Sequence, residues 1–289
     1  VHSYGLWCRT VGQKAALTKD HPLKSEEPFS PEEISKFLAD GIAKHQPVDP
    51  GFESVEYSRN LIPAAAPLKL AAVLPGKFPA APQDHQNYHV WLPEGAGSLK
   101  LKVTVQKVWA NRMPKISLFS PLEVSLNAVA ESESYKPDGK EYEIELKTPF
   151  GGLHRVETAD GGDHTRIAWH AVPITLDSGI DSRHVSSHFR GAWSLYFYVP
   201  KGTKLVAGWA SRIANWAPRI SGKMLNADGG EVFDFAKTED GWFKVPVPEG
   251  QDGKLWKFEN NQGQRLLMTV PPFLARSAEE LLLPAEIIK

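Results

Sequence analysis

Ten histidines make metal binding the first chemistry to look for. In Asp181-Ser182-Arg183-His184-Val185-Ser186-Ser187-His188 two of them stand four residues apart. On a helix that spacing puts both imidazoles on one face, where they would suit zinc with Asp181 or Asp177 as a third ligand. Asp84-His85-Gln86-Asn87-Tyr88-His89 repeats the spacing. Neither stretch looks helical, and neither carries the glutamate of a His-Glu-x-x-His motif. Linker and strand-edge histidines are the competing reading, and folding is expected to need no transition metal. Asp160-Gly161-Gly162-Asp163-His164 and Asp177-Ser178-Gly179-Ile180-Asp181 offer oxygen ligands to a structural calcium ion. Both lack the spacing of an EF-hand loop, and aspartate–glycine turns account for them as well. No nucleophile motif stands out. Gly-x-Ser-x-Gly is absent, and the single cysteine, Cys8, lies in an irregular stretch. Gly151-Gly152 opens no helix, so it is no phosphate loop. No catalytic residue and no cofactor is assigned.

The aromatics carry more weight. Nine tryptophans and seven tyrosines exceed what two small cores need. Strand phase sorts them. If Val90 and Leu92 point inward, His89 and Trp91 point outward, and so do Tyr196 and Tyr198 further on. If Val206, Gly208 and Ala210 point inward, Trp209 points outward. Trp109 and Trp216 sit just past a strand, near Asn111 and Arg112 or Asn215 and Arg219. Outward aromatic rings can stack on the C–H face of a sugar while asparagine, arginine or aspartate holds its hydroxyls. The candidate ligand-binding set is therefore Trp91, Trp109, Tyr196, Tyr198, Trp209 and Trp216. Burial against another layer or an upstream domain is the alternative for the same residues.

These residues need elements to position them. The 289 residues suit about two domains, and 33 Lys and Arg against 34 Asp and Glu leave a net charge of −1. That balance argues against a nucleic-acid binder, which needs a basic field. The most apolar long stretch, Leu61 to Phe78, is broken by lysines and prolines, so no membrane span is expected. One cysteine excludes an internal disulfide framework. No charged and apolar leader opens the chain at Val1, so the chain as it stands predicts no signal peptide, and a cleaved one is compatible with it.

Residues 1–69 read as an irregular segment with one short helix. Ser30-Pro31-Glu32-Glu33 gives a cap, a first-turn proline and a capping box, and Ile34, Phe37, Leu38 and Ile42 follow at helical spacing. From about Pro63 the pattern becomes strands. Leu99, Leu101, Val103 and Val105 alternate with Lys100, Lys102, Thr104 and Gln106; Trp193, Leu195, Phe197 and Val199 alternate likewise. Asp138-Gly139, Asp160-Gly161, Asp228-Gly229, Asp240-Gly241 and Asp252-Gly253 supply turns.

An internal repeat is the most informative feature. Val90-Trp91-Leu92-Pro93-Glu94-Gly95 matches Phe197-Tyr198-Val199-Pro200-Lys201-Gly202, and the same offset carries Trp109 onto Trp216. After a short deletion Pro114-Lys115-Ile116-Ser117 matches Pro218-Arg219-Ile220-Ser221. Leu153-His154-Arg155-Val156-Glu157 then answers Leu255-Trp256-Lys257-Phe258-Glu259. The expected fold is all-β: two tandem antiparallel β-sandwiches, at 70–174 and 190–289, with a linker at 175–189 and a last helical turn at Ser277–Glu280.

Tyr196-Phe197-Tyr198-Val199-Pro200-Lys201-Gly202-Thr203, Val247-Pro248-Glu249-Gly250-Gln251-Asp252-Gly253-Lys254-Leu255-Trp256 and Val270-Pro271-Pro272-Phe273-Leu274-Ala275 resemble C-terminal β-sandwich modules of large secreted glycoside-hydrolase-like proteins of environmental bacteria. Tyr57–Ala65 resembles the lead-in to such modules. The resemblance implies an extracellular or periplasmic accessory module beside a carbohydrate-active domain, and it transfers no catalytic residue. Three functions stay open. The first is a non-catalytic module binding a polysaccharide or glycan. The second is a structural or assembly module docking an upstream catalytic domain or partner subunit. The third is an enzyme with a His and Asp cleft between the sandwiches.

Overall fold

The computed structural model describes residues 30–32, 35–36, 49–108, 114–120, 128–132, 136–169, 172–179, 188–212 and 217–288, without the side chains of 81, 83–85 and 188–189. The chain divides into two compact units, Val1–Gly51 and Phe52–Lys289. In the first, Pro31, Glu32, Ser35 and Lys36 are helical and exposed. The expected apolar stripe of Ile34, Phe37, Leu38 and Ile42 lies outside the described residues, as does Cys8.

The second unit is built almost wholly of antiparallel strands. They are β1 (Leu61–Pro63), β2 (Ala81–Leu92), β3 (Ser98–Gln106), β4 (Lys115–Phe119), β5 (Ala130–Glu131), β6 (Asp138–Lys147), β7 (Gly152–Trp169), β8 (Ile174–Asp177) and β9 (His188–Arg190). There follow β10 (Trp193–Val199), β11 (Leu205–Ser211), β12 (Ser221–Leu225), β13 (Glu231–Asp234), β14 (Gly241–Pro246), β15 (Lys254–Gln262), β16 (Gln264–Leu267), β17 (Phe273–Leu274) and β18 (Leu282–Pro284). A short helix, Ala285–Ile288, ends the described chain.

Two regions share one strand order. In the first, β2 pairs the early half of β7, which pairs β4, which pairs β5. The late half of β7 pairs β3, and β3 pairs β6. In the second, the order β10-β15-β12-β13 forms one layer and β14-β11-β16 the other. β7 does alone what β15 and β16 do together. It crosses between layers at Asp160–Asp163, where Gly161 and Gly162 have positive φ; the matching crossing uses Asn260 and Gly263, also at positive φ. Inward residues of both layers meet in one core. Val90, Leu92, Ile116 and Val156 face Leu99, Leu101, Val103 and Leu146 in the first region. Leu195, Phe197, Trp256 and Phe258 face Val206, Ala210, Phe243 and Leu267 in the second. Period-two alternation of apolar and polar residues produces this burial.

The stretch expected as a linker at 175–189 is no free connection at its described ends. β8 is buried and pairs β2 on one side and β17 on the other, and β9 pairs the start of β2. β17 comes from the end of the second region yet joins the first region's sheet, and Ala275 bridges to Tyr196 of β10. The physical reason lies in Ile174, Thr175 and Leu176, which are buried on both faces as a central strand requires, with the Thr175 hydroxyl satisfied by the Glu280 carbonyl and the Leu282 N–H. Residues 61–63, expected to be irregular, form β1 against β18. Ser277–Glu280 makes a turn, and helix begins only after Pro284.

A second apolar cluster lies on the far side of the joined sheet. Leu61, Ala64, Phe273, Ala275, Leu281, Leu282 and Leu283 form it, with Leu68, Leu70, Ile287 and Ile288 at its margin. The fold thus has a third layer, made from the segments on either side of the two sandwiches.

Candidate functional site

The outer face of β14-β11-β16 carries a row of large apolar side chains. Trp209 lies between Trp242 of β14 and Leu266 of β16 in direct register. The two indoles meet edge to face, with ring centroids 4.8 Å apart at 77°. Phe52 adds an edge contact on Trp242 at 5.8 Å. Alternation explains the row. Phe243 and Val245 are core residues, so Trp242, Lys244 and Pro246 must point outward. Trp242 keeps 38% of its surface exposed, a high value for a tryptophan in a paired strand.

The strands beneath are held tightly. A Cβ on Gly208 would come within 1.8 Å of the Leu266 carbonyl oxygen, so only glycine lets β11 and β16 approach at this point. From inside, fully buried Arg265 donates to the carbonyls of Gln264 and Ser221, at 2.8 and 3.0 Å. Its guanidinium lies 3.9 Å from the centre of the Phe235 ring. Burial pushes Arg265 down to about 9, with Asp240 opposing, so it stays charged at neutral pH. Because Ser221 is on the opposite layer, Arg265 ties the two sheets together behind the aromatic row.

Polar groups border the row. Ser211 stands opposite Gln264 on one side, and exposed Lys244 on the other. Asp240 Oδ2 accepts from Arg212 N and Nε at 3.1 and 3.0 Å. Glu239 pairs Arg212 at 3.6 Å and Arg219 at 3.0 Å. An apolar ring surface flanked by donors and acceptors can stack on a pyranose and hydrogen-bond its hydroxyls.

The other expected residues fare differently. Trp209 is on this face. Trp91, Tyr196 and Tyr198 point away from the core, as their strand phase predicts, yet they meet the third layer. Tyr198 is 4% exposed, within the cluster of Leu61, Phe273 and Leu281. Tyr196 is 8% exposed and donates its hydroxyl to the Leu74 carbonyl at 3.0 Å. Trp91 is half-buried against the same cluster. Tyr196 and Tyr198 have no free ring face for a sugar, whereas Trp91 keeps part of its surface open, as Trp209 does. Trp109 and Trp216 lie outside the described residues. Trp242, Leu266 and Phe52 were missed, although the alternation around Phe243 was a legible signal for Trp242.

Asp181 and His184 also lie outside the described residues. The backbone of His188 is in β9, opposite Gln83. His85 and His89 both sit in β2. Along a strand, residues four apart are separated by roughly 13 Å, too far for one metal ion. Among the described residues no group of three or more His, Cys, Asp or Glu could hold one. The described aspartates of the two loops are already hydrogen-bonded. Asp160 accepts from Gly162 N and Thr165 Oγ1, and Asp163 from Val108 N. Asp177 accepts from Gly179 N and from Arg59 Nε. No helix among the described residues is long and apolar enough to cross a membrane.

No family model matches the chain, and no curated protein does. Among solved structures it is similar to the tandem CBM51 modules of a family 98 glycoside hydrolase from Streptococcus pneumoniae, at 11% identity and a TM-score of 0.19, over 68% of this chain and 81% of that one. The likeness is weak and at the level of the fold.

Proposed function

We propose that Phe52–Lys289 is a non-catalytic carbohydrate-binding module and that the row Trp242–Trp209–Leu266 is its glycan platform. The observation that carries this reading is the edge-packed tryptophan pair, Trp242 exposed and Trp209 half-buried beside it, on a sheet face bordered by hydrogen-bonding groups. A monomer keeps such apolar area uncovered only where something binds. On this reading the chain works outside the cytoplasm, beside an enzyme that acts on the same polysaccharide.

The test is affinity electrophoresis of the wild type and of Trp242→Ala and Trp209→Ala in gels cast with a panel of soluble polysaccharides. Loss of one stacking ring is expected to weaken retention about tenfold, the equivalent of ~1.4 kcal/mol, with melting temperatures close to the wild type. Retention by no polysaccharide, from a folded protein, would sink the reading and favour a face that docks another protein.

A further inference from the structure

A cleft of about 460 Å³ opens between residues 54–59 and the chain around β16 and β17. Its size falls in the range of small-molecule sites. Val55, Met268 and Pro272 give it apolar walls, and Ser54, Glu56 and Arg59 give it polar ones.

The strap that forms one wall is anchored at every turn. Val55 N donates to the Met268 carbonyl at 2.7 Å, and the Tyr57 hydroxyl to that of Thr269 at 3.2 Å. Ser58 N and Oγ both donate to the Glu286 carboxylate, at 2.9 and 2.7 Å. Arg59 Nε donates to Asp177 Oδ2 at 3.1 Å.

Asp177 is buried beneath the cleft and is itself fixed. Gly179 N donates to Oδ1 at 2.8 Å, and His89 Nε2 stands 3.5 Å from Oδ2. Burial alone would raise its pKa, but His89, Arg59 and the Gly179 N–H hold it below the usual carboxylate value. His89 is held in turn by an edge contact with Phe273. Asp177, fixed in this way, holds the Arg59 guanidinium at the cleft through Nε. Asp177 uses only one of its five N–H groups. The terminal nitrogens have no partner among the described residues, and the side chain remains 45% exposed at the cleft. An arginine held by Nε presents its other edge as a two-pronged donor, which matches a carboxylate. Glu56 lines the same cleft; its oxygens can accept from hydroxyls, and its charge opposes an anion, so a multiply charged ligand is disfavoured more than a single carboxylate held at Arg59.

We propose that this cleft binds a singly charged, ring-sized carboxylate, with Arg59 taking the carboxylate and Glu56 accepting from hydroxyls on the ring. A hexuronic acid has this chemistry, with a C–H face for Val55 and Pro272. Trp209 and Trp242 do not line this cleft, and the proposal stands whether or not that row binds glycans.

The experiment is calorimetric titration of the full chain at constant ionic strength. The probes are sodium glucuronate, its methyl ester, sodium benzoate and sodium sulfate. Glucuronate should bind saturably. The ester and sulfate should bind at least tenfold more weakly, the first for want of charge and the second for want of a ring. Benzoate, which lacks hydroxyls, should fall between. Arg59→Gln should abolish glucuronate binding, but it leaves buried Asp177 without its counter-charge and costs stability. Val55→Trp is the second variant: Val55 is 48% exposed, and the larger ring fills the cleft without touching the ion pair. It should weaken glucuronate at least tenfold at an unchanged melting temperature, whereas Trp209→Ala should leave glucuronate binding intact. Equal binding of acid and ester, equal binding of sulfate, or full binding by Val55→Trp would each overturn the proposal, as would no saturation by glucuronate.

Discussion

On the outer side of β3 and β6, Lys102 Nζ lies 2.9 Å from Glu141 and 3.7 Å from Glu143, Lys100 lies 3.9 Å from Glu145, and Ser98 Oγ donates to Glu145 at 2.7 Å. On the outer side of β11 and β14, in the matching layer of the second region, stand Trp209 and Trp242. The backbone pairing is the same in both places. On this face the outward side chains have diverged. An exposed ladder of alternating charge gains little stability, yet it keeps a sheet face hydrated and unattractive to partners. A tryptophan pair in that place leaves apolar area in water, which is a cost unless a ligand covers it. The core fills inward positions and constrains them, so outward positions are where one architecture acquires different functions.

The contrast extends inward, and its largest test is there. Trp256 and His154 occupy matching core positions, opposite Phe197 and Val90 respectively. Trp256 is fully buried and donates to the Gln251 carbonyl at 2.9 Å. Trp256→Ala should cost about 3–5 kcal/mol in urea unfolding, as large-to-small core substitutions do. His154→Ala removes less volume but takes away the ring that bonds the Thr148 hydroxyl and the Gly152 carbonyl, and should cost about 1–3 kcal/mol. Equal losses would break the inward half of the comparison.

Exchanging the faces comes next. Trp209→Lys with Trp242→Glu should remove polysaccharide retention in the affinity gel. Lys102→Trp with Glu143→Trp, placed on the wild type, should strengthen it. If retention survives the first exchange, the tryptophan row is not the platform.

A smaller effect is set by pH. Burial lowers the pKa of His154 from its ordinary 6.5, against the opposing pull of the Gly152 carbonyl. The unfolded chain therefore takes up the proton first. The neutral ring's contribution is complete above pH 6.5 and is lost as pH falls below it. Melting temperature should fall between pH 7.5 and 5, and His154→Gln should flatten that fall. A variant with the wild-type slope would assign the pH dependence to other groups. Trp256 does not titrate, so this window belongs to the first region.

The smallest effect is expected from Lys102→Ala. Its partners are exposed glutamates in water, and its loss should leave the melting temperature within the scatter of the wild type. A marked drop would mean that the charged face bears structural weight as well.

Alternation alone was enough to orient most of the strands. Each residue in a strand faces opposite to its neighbours, so one inward valine orients the rest. That is why Val103 against Lys102 and Gly208 against Trp209 could be read directly, and why Trp242 was readable from Phe243. The match between Val90–Gly95 and Phe197–Gly202 likewise pointed to a shared strand order, because turn and core residues recur where the backbone recurs. What alternation leaves open is whether an outward residue meets water. Trp91, Tyr196 and Tyr198 have the same phase as Trp209, but Leu61–Leu70 and Phe273–Ile288 pack on Trp91 and Tyr198, and Leu74 and Ala275 bond Tyr196, from positions distant in the chain. The entry of β17 into the first region's sheet, and the meeting of Arg59, Asp177 and His89, arise in the same way. Phase is a local property carried by neighbours in sequence, whereas burial and long-range pairing depend on which distant segments gain most by covering an apolar surface, and only the folded chain decides that.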